Sequence, residues 1–183
     1  MLLHNSNELL SSEAKSVYFE LEKVKKCRLA EKIGVSAYDI SDILKIIELF
    51  PIDIIQVPYN ILDKNRLNAK VLEKIKSKGI EVHVRSVFLQ GLLLMDPDNL
   101  PNNLSYFRPY IEKICEGAYE NQLTTAQYLL RYALQNSLID KVVLGVASVD
   151  QLKEQIVPEC FVDYSSISSL RFNRPNLLDP RSW

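Results

Sequence analysis

Four apolar, β-branched runs separated by amphipathic stretches constrain this chain more than any other feature. They are KIGVSAY (32–38), IDIIQVPYN (52–60), IEVHVRSVF (80–88) and KVVLGVAS (141–148). All four are mostly apolar on both parities, the pattern of parallel strands covered on both faces. Helices are predicted between them, over about 13–26, 42–50, 64–78, 124–136 and 149–156. Val17, Leu21 and Val24 form a stripe in the first of these, with Glu22 and Lys26 as a favourable i,i+4 pair on its solvated face. In the third, Leu67, Val71 and Ile75 recur every four positions beside Leu72, with lysines opposite. Gly79 is placed to supply the left-handed residue that ends this helix. Thr124 and Gln127 have the spacing of a capping box. Residues 95–109, with Pro97, Pro101 and Pro109, read as a long loop, and 157–183 as an irregular tail. A loop of that length after a strand is uncommon unless it covers a ligand site. No linker or repeat divides the 183 residues, so one domain over 1–183 is expected.

Composition removes several classes of function. Lys plus Arg number 22 against 23 Asp plus Glu, a balance that argues against a nucleic-acid binder relying on phosphate neutralisation. No apolar run reaches the roughly 20 residues of a membrane span, and MLLHNSNELL has no secretory pattern. Cys27, Cys115 and Cys160 are odd in number and far apart, which fits reduced thiols and a cytoplasmic location and offers no metal spacing. Five glycines make no phosphate-binding loop.

Repeated strand–helix units leave an open doubly wound sheet or a (β/α)8 barrel. Ser36, Gln56, Asn60, Arg85, Ser86 and Ser148 sit toward the C-terminal ends of four successive strands, which favours a barrel rim. A barrel usually takes about 250 residues, whereas four full strands and a partial one, LLH, are visible here. The expected fold is therefore α/β, the C-terminal half of a (β/α)8 barrel.

The succession LLH, IGVSAY, DIIQVPYN, VRSVFLQGLLL and VVLGVASVDQLKEQ, in that order over about residues 2–156, resembles the aldo-keto reductase family. The ending LLDPRSW is also similar to tails of bacterial members. The resemblance implies a barrel that binds NADPH or NADH across its rim and reduces a small carbonyl substrate with an Asp, Tyr, Lys and His set. His4 matches the His, whereas the other three belong to strands that would precede residue 1. Ser36 and Gln56 match ligands of the nicotinamide carboxamide, with Ala37 where Asn often follows. Arg85 stands where many members stack a Tyr on the ring. Ser86, Phe88 and Gln90 align with the pyrophosphate stretch, and Ser148, Gln151, Glu154 and Gln155 with the adenosine end. Gly145 and Gln151 stand where NADPH-preferring members carry a Lys and an Arg, so a weak or partial site with little NADPH preference is expected.

The residues also carry plainer expectations. Gln56 between Ile55 and Val57 needs polar partners, and a guanidinium at 85 can stack or meet a phosphate. His83 is expected as a satisfied interior histidine, Tyr59 and Asn60 as rim-turn residues, and Cys115 and Cys160 as structural thiols. Tyr106, Tyr110, Tyr119, Tyr128 and Tyr132 are expected in packing. The function implied is an NAD(P)H-dependent oxidoreductase present as a truncated chain, inactive alone. The alternative is a non-catalytic nucleotide-binding or interaction subunit derived from the same barrel. Unpaired sheet edges are expected to drive self-association of the isolated chain.

Overall fold

The structure, a computed structural model, describes all residues except 64–66 and 169–171. Its strands are β1 (Leu2–Leu3), β2 (Gly34–Ser36), β3 (Ile54–Pro58), β4 (Glu81–Arg85) and β5 (Lys141–Val142). All neighbours pair in parallel and in chain order, β1-β2-β3-β4-β5. The helices are α1 (Ala14–Lys26), α2 (Ile40–Leu49), α3 (Ala69–Lys76), α4 (Arg108–Glu120), α5 (Thr125–Leu134), α6 (Val149–Glu154) and α7 (Ser165–Ser168). The chain forms two compact units, each discontinuous in sequence.

The first unit comprises Met1–Pro58, Asn65–Arg85 and Leu138–Val142, and it holds the whole sheet with α1, α2 and α3. One sheet face is apolar: Val35, Ile55, Val57, Val82 and Val84 are fully buried, as are Ile43, Ile46 and Ile75 on the helices. The register puts Ser36 beside Gln56, Gln56 beside His83 and His83 beside Lys141. In a parallel ladder, partners in register share a face. The second face therefore carries a polar row, which corrects the expectation of strands apolar on both parities. Gly34 is obligatory here, because a Cβ would lie 1.9 Å from the Ile54 carbonyl oxygen.

One device recurs at the start of the strands. Asp53 accepts the Ile33 N–H at 2.9 Å and the Lys25 ammonium of α1 at 2.6 Å. Asp140 accepts the Val82 N–H at 2.6 Å and the Lys76 ammonium of α3 at 2.7 Å. Each carboxylate thus ties the strand it precedes to the backbone at the start of a neighbour, while a helix lysine balances its charge. Burial opposes ionisation of both carboxyls, but their lysine and backbone donors outweigh it and hold each pKa below the usual aspartate value. The predicted Glu22–Lys26 pair is present at 2.6 Å. Gly79 has φ of 73°, as its role after α3 requires. That helix opens at Asn68, whose side chain accepts the Val71 N–H; the stretch 64–66 of its predicted span lies outside the described residues.

The second unit comprises Tyr59–Lys64, Ser86–Ser137 and Val143–Trp183. Its α4 corrects the sequence reading. Pro109 is not the end of a loop but sits in the first turn of this helix, where a missing N–H costs nothing. The loop before it is itself turned, with 3₁₀ segments at Pro97–Asn99 and Asn102–Phe107. Thr124 and Gln127 close both bonds of the capping box on α5. The fourth apolar run leaves the ladder after Val142, and Val143 and Val146 are exposed. Tyr128 is fully buried while Tyr119 is 86% exposed, so Tyr119 is not a packing residue. Gln135 holds the tail through two bonds of 3.0 Å to Val162.

Candidate functional site

The C-terminal ends of β2, β3 and β4 gather the polar residues of the first unit. Ser36 is nearly buried and donates its hydroxyl to Gln56 Oε1 at 3.0 Å. The strand register makes this contact: the two residues are direct partners and project on one face. One step further along, Pro58 is the partner of Arg85. The Arg85 guanidinium lies 4.3 Å from the centroid of the Tyr38 ring, a cation–π stack. Tyr38 follows Ser36 by two residues, the spacing that returns a side chain to the same face of an extended strand. Nothing in the sequence reading paired Tyr38 with Arg85; their parity was the available signal. His83 Nε2 lies 3.1 Å from Glu81 Oε2, and Glu81 also receives the Lys32 ammonium. His83 is thus satisfied within its own strand. His4 is exposed and directly follows Leu3, whose ladder partner Val35 precedes Ser36.

The remaining sequence-derived candidates belong to the second unit. Ser86 (φ 62°), Leu89 (φ 47°) and Gln90 (φ 57°) all adopt the left-handed conformation, followed by Gly91 at 85°. Such a conformation is strained for non-glycine residues, and strain of this kind persists only where surrounding contacts hold it. Those contacts are Val87, Leu89, Leu92 and Leu93, all buried. The outcome is that Ser86 and Phe88 are half-exposed and Gln90 is exposed, leaving this face of the turn open to a ligand. Ser148 caps α6 by accepting the Gln151 N–H at 3.2 Å, and Gln151 Oε1 accepts the Ala147 N–H at 2.8 Å. Glu154 lines a cavity of about 490 Å³ with Leu94, Cys115, Tyr119 and Thr125. Gln155 is the residue at which α6 ends.

Aromatic packing accounts for Tyr59. It is buried, stacks on Tyr132 with centroids 5.5 Å apart, and accepts a bond from Asn136 Nδ2 at 3.4 Å. Asn60 accepts the Leu62 N–H at 3.0 Å and shapes the turn. Burial, reinforced by neighbouring tyrosines, pushes the Tyr132 and Tyr164 phenols upward, and burial pushes Tyr128 up to about 12. None of these three is tuned toward proton donation at neutral pH.

A five-stranded parallel sheet with an apolar face and a polar row on the other, accompanied by helices, defines an α/β protein. The chain belongs to the aldo/keto reductase family, whose model matches residues 2–159. Among solved structures it is similar to Gox0644 in its apo form (TM-score 0.67, 18% identity, 94% of this chain and 58% of that one). It is likewise similar to the aldo-keto reductase AKR11C1 from Bacillus halodurans (0.64, 18%, 97% and 58%). The aldose reductase from Schistosoma japonicum matches with TM-score 0.62 and 24% identity over 86% of this chain and 46% of that one. A further match, at TM-score 0.59 and 18% identity over 97% of this chain and 56% of that one, is a Gox0644 variant in complex with NADPH. This chain therefore spans about half the length of the solved chains it matches. No curated protein matches it.

Proposed function

We propose that this chain forms the cofactor-holding part of an NAD(P)H-dependent carbonyl reductase, with the nicotinamide carboxamide on Ser36 and Gln56. The observation that carries the reading is the 3.0 Å Ser36–Gln56 bond at the carboxyl ends of adjacent strands. With the serine hydroxyl donating to Gln56 Oε1, the Gln56 NH₂ can still donate and the Ser36 oxygen can still accept. A primary carboxamide needs that combination of donor and acceptor. When bound, the dihydronicotinamide supplies hydride. Ser36 and Gln56 fix the orientation of its ring, and exposed His4 offers a hydrogen bond to the oxygen of a small carbonyl substrate.

Tyr128, Tyr132 and Tyr164, whose phenols burial pushes upward, are not tuned acids. A well-placed general acid contributes roughly 10²–10⁴ in rate, and the buried phenols of the second unit are displaced in the wrong direction. The expected behaviour is dinucleotide binding with carbonyl reduction at background rate. With Gly145 and Gln151 at the positions discussed above, two charge-assisted bonds of about 1.5–3 kcal/mol each are missing for a 2′-phosphate, so NADH and NADPH should bind alike. Titration calorimetry tests this. Ser36→Ala and Gln56→Ala should each weaken binding about fivefold to tenfold, the loss of one net hydrogen bond. Unchanged affinity in both variants would sink the assignment, and NADPH binding more than about a hundredfold tighter would reveal a compensating cation. Aldehyde-dependent NADH oxidation above background that disappears in His4→Ala would overturn this expectation and make His4 necessary to the reaction.

A further inference from the structure

We infer that α6 of one chain docks its exposed apolar stripe into the groove beside β1 of a second copy, and that the second copy returns the same contact. The stripe consists of Val149, Leu152 and Ile156, at the i, i+3, i+7 spacing that puts three side chains on one helix face. They are 67%, 53% and 68% exposed. An amphipathic helix normally turns such a stripe toward a core; here it faces solvent. The stripe is also held in place. Ser148 caps the helix, and the Ile156 N–H continues its last turn to the Lys153 carbonyl at 3.1 Å. Gln127 Nε2 donates to the Ile156 carbonyl at 3.2 Å.

The receiving surface is built by other elements. Met1 and Leu3 at the β1 edge and Val17, Leu21 and Val24 on α1 line a groove of about 410 Å³. The α1 residues stand at i, i+4, i+7, so both helices carry three apolar side chains over two turns and can pair along their length. The charges at the margins are complementary. Glu20 borders the groove, and Lys153 is the neighbour of Leu152 on α6. Each makes only a long, exposed pair on its own helix, Glu20 with Lys23 at 3.5 Å and Lys153 with Asp150 at 3.8 Å. Such pairs are worth little, so either charge can exchange its partner across an interface.

Chain connectivity selects a second copy over an unrelated partner. β5 ends at Val142, and α6 starts at Val149 after a short connector. The helix that follows a parallel strand crosses toward that strand's next neighbour, and β5 has none beyond β4 among the described residues. β1 likewise has no described neighbour on its outer side, where the groove lies. When β5 of one copy meets β1 of the other, its helix is delivered onto the groove. Twofold symmetry forms this contact twice, with two stripes and two grooves. About 300–500 Å² from each of these four surfaces reaches the roughly 1,200–2,000 Å² that a stable interface buries.

The test measures the dimer dissociation constant of the full chain by analytical ultracentrifugation, with circular dichroism to check that each variant is folded. Leu152→Asp, at an exposed position, should weaken the dimer about tenfold or more, because a leucine's burial is lost at both junctions. Glu20→Lys and Lys153→Glu should each weaken it about fivefold, because both junctions then hold like charges. Mixing these two variants should restore the parent affinity, since every junction of the mixed dimer again pairs opposite charges. Neither a folding defect nor strand pairing alone produces that recovery. A monomeric parent overturns the inference and leaves both surfaces to a partner of another sequence. A dimer that Leu152→Asp leaves unchanged, or charge variants that do not recover on mixing, also overturns it and leaves the strand edges without the helix as the contact.

Discussion

Tyr128 shows how a single atom sets local constraints. Its hydroxyl is buried with no hydrogen-bond partner, and a Cβ on Gly117 would lie 2.6 Å from it. The ring packs against Tyr164, whose own hydroxyl reaches the Tyr128 carbonyl at 2.8 Å. A buried hydroxyl without a partner loses its water and gains nothing in exchange, at a cost of about 1–3 kcal/mol. Tyr128→Phe removes that cost and keeps the ring. Chemical denaturation should show a gain of about 1 kcal/mol; a loss of similar size would mean the hydroxyl is satisfied in solution. At this scale the sequence conveyed identity better than environment. Gly117 gave no sign of its close approach to a tyrosine eleven residues later, and exposed Tyr119 had the same residue type as buried Tyr128 of the next helix. Ser36 and Gln56 were legible because polar residues inside apolar strands need an explanation. The Arg85–Tyr38 stack was not, because it depends on the register between β2 and β4, two strands apart.

At the scale of elements, the two carboxylates that start strands make acid stability a property of the α–β junctions. Asp53 and Asp140 have folded pKa values below their unfolded ones, as the balance of burial against lysine and backbone donors dictates. Folding therefore releases protons, and the stabilisation is fully present above the unfolded aspartate pKa of about 3.9. It is lost as pH falls through the lower folded values. Asp53→Asn and Asp140→Asn should each lower stability at pH 7 and flatten its decline below about pH 4. Unfolding midpoints measured from pH 7 downward check this, and a variant whose acid slope matches the parent would remove its carboxylate from the account. Most elements were legible in the sequence because both of their periodicities were strong. The exception, α4, opens at a proline that also ends an asparagine-rich stretch, and local chemistry favours loop and helix start equally there. The fourth strand run was overestimated for a different reason. Its β-branched residues fit a strand, but only Lys141 and Val142 have a described partner in β4.

At the scale of the molecule, the sheet has two unlike ends. Among the described residues β1 pairs only with β2 and β5 only with β4, so each end offers unpaired backbone groups of a parallel ladder. Beside β1 lies an apolar groove of about 410 Å³, lined by Met1, Leu3, Val17, Leu21 and Val24 with Ser16 and Glu20 at its polar margin. The directionality of parallel pairing selects the occupant. A second β1 edge meets the first only in antiparallel orientation, whereas β5 of another copy continues the order β4-β5-β1-β2 with every strand aligned. Two such junctions related by a twofold axis leave no edge open, which favours a closed dimer over an open array. The 21.0 kDa chain should therefore run as a species of twice its mass at tens of micromolar in size-exclusion chromatography with light scattering. Leu3→Lys, which places a charge on the β1 edge and in the groove, should shift the population to monomer. A monodisperse monomer for the parent chain at that concentration would refute edge pairing, and a dimer indifferent to Leu3→Lys would place the contact elsewhere.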